Sequence, residues 1–215
     1  LAGLAAKYRE MKDFITNEEA TKMALIVPFL NLLGYNPNNQ REVRAEYAAP
    51  FTQGDGKKLP DRMDYAIFDS TGARPILVIE AKPLGADLRQ KSAQLARYIS
   101  QLEQLHFGII TDGCTYHFYG DLLAPNIMDA EPFFSFSLAD DKEDWGRVAE
   151  FLKKFNRESF NADTLVIEAE NSRYQQDMTA KLAKALKEPE TDKGFMKWLT
   201  DGIYTGNRTT GVMER

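Results

Sequence analysis

Two apolar runs separated by a polar turn dominate the first half of the chain. Met63–Phe68 is followed by Asp69-Ser70-Thr71-Gly72 and then by Pro75–Ala81. The segment Ile76-Leu77-Val78-Ile79 is rich enough in β-branched residues for a buried strand. The residues between the runs favour a tight reversal, so the pattern predicts a β-hairpin. Residues two apart on a strand share a face, so Glu80 and Lys82 point the same way. A turn centred near Gly72 sets Asp64 across from Glu80, whereas a slip of one residue would turn a side chain to the other face.

The other elements follow from the same kind of pattern. Residues 1–15 read as a short helix. Thr16 and Glu19 have the spacing of a capping box ahead of a helix over 17–33. Met23, Val27 and Leu30 share the core face of that helix, Pro28 kinks it, and Gly34 with Pro37 ends it. Glu18 reads as a favourable acid in its first turn. Val43, Ala45 and Tyr47 alternate as a half-buried strand, and residues 50–62 form a loop with several basic side chains. A helix over 86–105 buries Leu88, Leu95, Ile99 and Leu102 and carries Gln94 and Tyr98 on one face. Phe107–Thr111 and Cys114–Tyr119 pair about an Asp112-Gly113 turn, and Phe133–Leu138 adds a short strand. Beyond about Asp140 the pattern becomes helical, over 143–155, 164–186 and 193–203, with Trp145, Phe151, Leu152 and Phe155 forming an apolar face. These elements divide the chain into an α/β part over 1–140 and a C-terminal helical extension over 141–215. The extension either packs on the sheet or docks onto a partner.

Composition narrows the function. The 215 residues are 43% hydrophobic and 27% charged, the balance of a globular domain with a sizeable core. No apolar run reaches membrane-spanning length, so no membrane association is expected. The single cysteine, Cys114, excludes an internal disulfide. With no signal-peptide pattern it fits a reducing, cytoplasmic setting. Two histidines and one cysteine cannot build a structural zinc site of the usual kind, so His106 and His117 read as ordinary core or surface residues. The net charge of −5 leaves room only for a local basic patch against nucleic acid. No GxxxxGK[ST] phosphate loop occurs, and Gly54-Asp55-Gly56-Lys57 is only a superficial likeness, so no ATP site is expected in this chain.

The hairpin carries the candidate chemistry. Two carboxylates at the end of a buried strand are hard oxygen donors suited to Mg²⁺, and a lysine beside them can orient water or neutralise a phosphate. The same residues would also serve as charge capping strand ends at a surface. Asp61, in the loop just ahead, is a second candidate for the first acid.

The order of these motifs resembles the PD-(D/E)XK nuclease superfamily. More narrowly, it resembles the N-terminal nuclease domain of the R subunit of type I restriction enzymes. The likeness rests on Glu18-Glu19-Ala20-Thr21-Lys22 with Leu33-Gly34-Tyr35, on Asp64-Tyr65, and on Ile79-Glu80-Ala81-Lys82. Gln94 with Tyr98, and Thr111-Asp112-Gly113 with Tyr116 and Phe118-Tyr119, complete it, over about residues 15–120. It implies a restriction-endonuclease-like fold, a central mixed β-sheet flanked by helices. It implies a DNA endonuclease in which Asp64, Glu80 and the Ala81 carbonyl hold Mg²⁺, or Mn²⁺ in its place. Lys82 would assist the attacking water, Glu18 would support the site, and Gln94 and Tyr98 would contact DNA or order the site. Motor or specificity subunits of a restriction complex are the implied partners, and cutting both strands would call for a homodimer. Pro60-Asp61 spells the family's opening dipeptide but lies further from Glu80 than the relatives' spacing suggests, so Asp64 is the expected first acid. The alternative is a non-catalytic module of the same fold that binds DNA or a protein.

Overall fold

The computed structural model describes residues 1–49, 62–88, 93–102, 104–162 and 164–167. The chain divides into two units, Leu1–Ala169 and Glu170–Arg215, and every described residue lies in the first. The loop over 50–61, including Asp61, and the predicted helix over 193–203 lie outside the described residues, as does all but the start of the helix predicted over 164–186.

The expected α/β architecture is found. Six strands form one mixed sheet in the order β1-β2-β3-β4-β5-β6. They are β1 Val43–Tyr47, β2 Met63–Phe68, β3 Pro75–Ala81, β4 Phe107–Thr111, β5 Thr115–Gly120 and β6 Phe134–Ser137. All neighbours run antiparallel except β3 and β4, which are parallel. A parallel pair needs a crossover, and helix α4 (Ala93–Gln101) lies within that connection.

Helices cover both faces. Leu4 and Ala5 of α1 (Ala2–Met11), Phe29 and Leu30 of α3 (Val27–Leu32), and Val148 and Leu152 of α5 (Trp145–Lys153) join one apolar cluster with Leu77, Ile79, Ile109 and Phe118. Leu95, Tyr98 and Ile99 of α4 join the other with Ala66, Val78 and Ile110. The α4 layer sits close on β4 at Gly108, where an added Cβ would lie 2.2 Å from Leu95 Cδ1.

The helix predicted over 17–33 departs from expectation in two ways. Its N-cap is Asn17, whose Oδ1 accepts from the Ala20 N–H at 2.8 Å; Thr16 lies one residue too early to cap it. After the short α2 (Glu18–Thr21) the ladder widens into a π-helical turn, Lys22–Ile26, in which Val27 N–H reaches Lys22 O. Pro28, at the start of α3, brings no N–H and its ring crowds the preceding turn. The wider turn holds one extra residue and shifts the helical phase by about 100°. Met23 is consequently 68% exposed, and Leu25, Ile26, Phe29 and Leu30 take the core face. Gly34 ends the helix with φ +85°, a left-handed value that costs glycine little.

β1 also differs from the simple alternation. Val43 is buried in the first apolar cluster and Tyr47 half-buried against the second, but Ala45 is exposed, on the strand at the end of the described sheet. Glu46, with φ 49°, adopts a left-handed backbone that costs a non-glycine residue about 1–2 kcal/mol.

Candidate active site

The hairpin forms with the predicted register. Tyr65 pairs with Ile79 and Ala66 with Val78, and continuing by one residue sets Asp64 opposite Glu80. Both acids are buried. Leu77, Ile79 and Ala81 belong to the first apolar cluster and Val78 to the second, so alternation directs Glu80 to the α4 side of the sheet.

The exit from β3 is fixed by the β4–β5 turn. Lys82 N–H donates to Thr111 O at 2.8 Å. The Asp112 carboxylate accepts from Gly85 N at 2.8 Å, Cys114 N at 3.0 Å and Thr115 N at 2.7 Å. One aspartate thus ties the strand end that carries Lys82 to the turn Asp112-Gly113, where Gly113 has φ +80°.

The charges on this frame are paired. Lys82 Nζ hydrogen-bonds Glu80 Oε1. Asp64 Oδ2 accepts from the Ala81 N–H at 2.7 Å, and Asp64 Oδ1 from Lys22 Nζ at 2.6 Å. Lys22 is 5% exposed. It also lies 2.6 Å from Glu19 Oε1, 3.3 Å from Glu46 Oε1 and 3.8 Å from Glu18 Oε1. Burial alone would lower its pKa, but its hydrogen bonds to Asp64 and Glu19 raise it well above the ordinary lysine value. Lys22 therefore keeps its charge at the centre of the acids.

Glu80 is the least satisfied member. Its Oε2 is buried with no hydrogen-bond partner. Burial pushes its carboxyl up to about 7, against the opposing hydrogen bond and charge of Lys82, and the charges of Asp64 and Glu18 add to the rise. A buried carboxylate oxygen without a donor is costly unless a cation meets it.

The structure brings Glu18, Asp64, Glu80 and Lys82 into one neighbourhood and adds Lys22, Glu19 and Glu46, which sequence reasoning missed. Glu19 had a sufficient explanation in the capping box, and Lys22 reads as an ordinary helix partner of Glu18 at i,i+4. The Glu18-Glu19…Lys22 spacing was the available signal. Gln94 and Tyr98 bond to backbone next to the strands that carry the acids. Gln94 Nε2 donates to Arg62 O, just ahead of β2. Tyr98 is fully buried; its hydroxyl donates to Tyr47 O at 2.8 Å and accepts from Ala49 N at 3.4 Å. Both side chains fasten the ends of the strands that bear Glu46 and Asp64.

Two carboxylates on adjacent strands, one with an orphaned oxygen, form a donor pair that fits Mg²⁺. This ion is commonly held by one or two carboxylates, with water and phosphate oxygens completing its shell. Among the described residues no three acidic, histidine or cysteine side chains gather as a metal cage. No described helix is long and apolar enough to cross a membrane.

Comparison with known proteins agrees with the motifs. No curated protein is significantly similar to the chain. A chain of the cryo-EM structure of the DrdV–DNA complex superposes with a TM-score of 0.43 at 17% identity, over 71% of this chain and 13% of that one. The match thus spans a small fraction of that protein's length. Residues 17–123, which hold β1 to β5 and every residue of the acidic site, match the family of the type I restriction enzyme R protein N terminus (HSDR_N).

Proposed function

We propose that this chain is a Mg²⁺-dependent DNA endonuclease of a restriction or DNA-defence system, with Asp64, Glu80 and Lys82 as its catalytic centre. The observation that carries the reading is the register of the β2–β3 hairpin, which sets two buried acids opposite each other and leaves Glu80 Oε2 without a partner. The family match over residues 17–123 supports the substrate class.

Asp64, Glu80 and the Ala81 carbonyl would hold the ion. When bound there, Mg²⁺ supplies positive charge to a phosphate oxygen and lowers the pKa of a water in its shell. The remaining work falls to the chain. Ala81 N–H fixes one oxygen of Asp64, so the first acid keeps a constant orientation. Glu80 holds the Lys82 ammonium beside the acids, where it can orient the attacking water and offset the charge that develops on the phosphate. Asp112 fixes the backbone that delivers Lys82. Glu18, at the mouth of the site, adds negative charge that favours a cation.

Calorimetric titration with Mn²⁺ tests the metal half of the proposal. Wild-type protein should bind the ion, and Asp64→Ala and Glu80→Ala should each lose at least tenfold in affinity, about 1.4 kcal/mol. Equal binding by both variants would exclude these acids as ligands and leave a module that only binds DNA or a protein.

A further inference from the structure

Lys22 is a cation among the acids that the proposed chemistry does not use. It is buried, and it reaches Asp64 Oδ1 and Glu19 Oε1 at 2.6 Å each. The other Asp64 oxygen accepts from the Ala81 N–H. Both oxygens of the first acid are therefore committed to donors from the chain itself. A divalent ion bound at either oxygen would press on the donor already there, and at Oδ1 that donor is the Lys22 ammonium, a like charge. The backbone N–H belongs to the packed end of β3 and cannot move without opening the sheet. The lysine sits on four methylenes and can.

The placement of Lys22 also suits exchange. It opens the π-helical turn that precedes Pro28, and Thr21 just ahead of that turn and Leu25 within it lie close to Gly113 of the β4–β5 turn. The helix is thereby fixed against the strand ends, while the lysine head is free to trade one carboxylate for another. Glu46 and Glu18, at 3.3 and 3.8 Å, are acceptors within reach. Glu18 is about one-third exposed and Glu46 more than half, so both lie toward solvent. The second acid offers what the first withholds, an oxygen with no donor.

We infer that Lys22 is an internal counter-cation of the site that competes with the divalent ion for Asp64 and moves toward Glu18 and Glu46 when the ion enters. The inference rests on the proposed metal site. It adds to that site a residue that sets its threshold for metal: the acids stay neutralised until the free ion is abundant enough to displace the ammonium. Lys22 acts on the metal through Asp64 and is a positioning residue, with no contact to substrate required.

The test uses Ca²⁺, which occupies oxygen sites without the need for turnover. Calorimetric titration compares wild type with Lys22→Gln, Lys22→Arg and Asp64→Asn. In parallel, NMR of ¹³Cε-lysine-labelled wild type follows the Lys22 signal, assigned through Lys22→Arg. Lys22→Gln should bind Ca²⁺ about tenfold or more tightly than wild type, the factor that one charge-assisted hydrogen bond is worth. Lys22→Arg keeps the charge and should bind close to wild type. The wild-type Lys22 signal should shift in step with saturation. If wild type binds and Asp64→Asn does not, while Lys22→Gln equals wild type or the Lys22 signal stays still, the competition is refuted and the metal site stands. If no variant shows Asp64-dependent binding, the site and the competition fall together. Should Lys22→Gln fail to fold, the NMR titration of wild type decides alone.

Discussion

Glu80 makes the stability of this protein depend on pH in an unusual direction. Its carboxyl is pushed from 4.5 to about 7 in the folded chain, chiefly by burial. Between those two values the folded state holds a proton that the unfolded state has released. Stability therefore falls as pH rises from about 4.5 to about 7 and levels off above, the reverse of a salt-bridged carboxylate. The gap corresponds to about 3 kcal/mol at 1.36 kcal/mol per pH unit, an upper value because the chain around Lys82 can relax. Glu80→Gln removes the titration and keeps the shape and a hydrogen-bond acceptor for Lys82. Urea unfolding in EDTA at pH 5, 6, 7 and 8 measures it. Wild type should lose up to about 3 kcal/mol more than Glu80→Gln between pH 5 and 8, and added Mg²⁺ at pH 8 should restore part of the loss to wild type only. Parallel pH profiles for the two proteins would refute the claim that a destabilised buried carboxylate sits at this position.

Three further outcomes test how the site is framed. Tyr98→Phe removes the hydroxyl that joins Tyr47 O and Ala49 N and should lower unfolding free energy by about 1 kcal/mol or somewhat more, since a buried carbonyl loses its donor. Gly108→Ala drives a methyl to 2.2 Å from Leu95 Cδ1. Because Leu95 is fully buried, denaturation should show a loss of about 1–3 kcal/mol, smaller when Leu95→Ala is combined with it. Asn17→Ala should cost about 1 kcal/mol by removing the helix cap, whereas Thr16→Ala should change the melting temperature little.

The sheet was legible because its signals are local. Turn residues at Asp69–Gly72 and Asp112-Gly113, placed between apolar runs, fixed both hairpins and set Asp64 opposite Glu80. The helix over 17–33 was harder to read. Periodicity assumes 3.6 residues per turn, and the π turn before Pro28 breaks that assumption, which is why Met23 faces outward. Asn17 and Thr16 are both good caps, and only the position of the first turn chooses between them. Lys22 and Glu46 were missed for a different reason. A helix lysine three and four residues after glutamates, and a glutamate on an edge strand, are ordinary surface patterns. The burial of Lys22 and its approach to Asp64, 42 residues away in sequence, come from how the helix packs on the strand ends, which also brings Glu46 to the lysine, and no local pattern encodes it.

Strand scission tests the catalytic centre most directly. Purified protein is incubated with supercoiled plasmid and Mg²⁺ or Mn²⁺ beside Lys82→Ala, which leaves Asp64 and its Ala81 N–H contact in place. Wild type should nick the plasmid in a metal-dependent way that EDTA abolishes, and Lys82→Ala should be slower by at least a hundredfold, about 2.7 kcal/mol of barrier. Equal nicking by both proteins would contradict the assignment of Asp64, Glu80 and Lys82 as the catalytic centre.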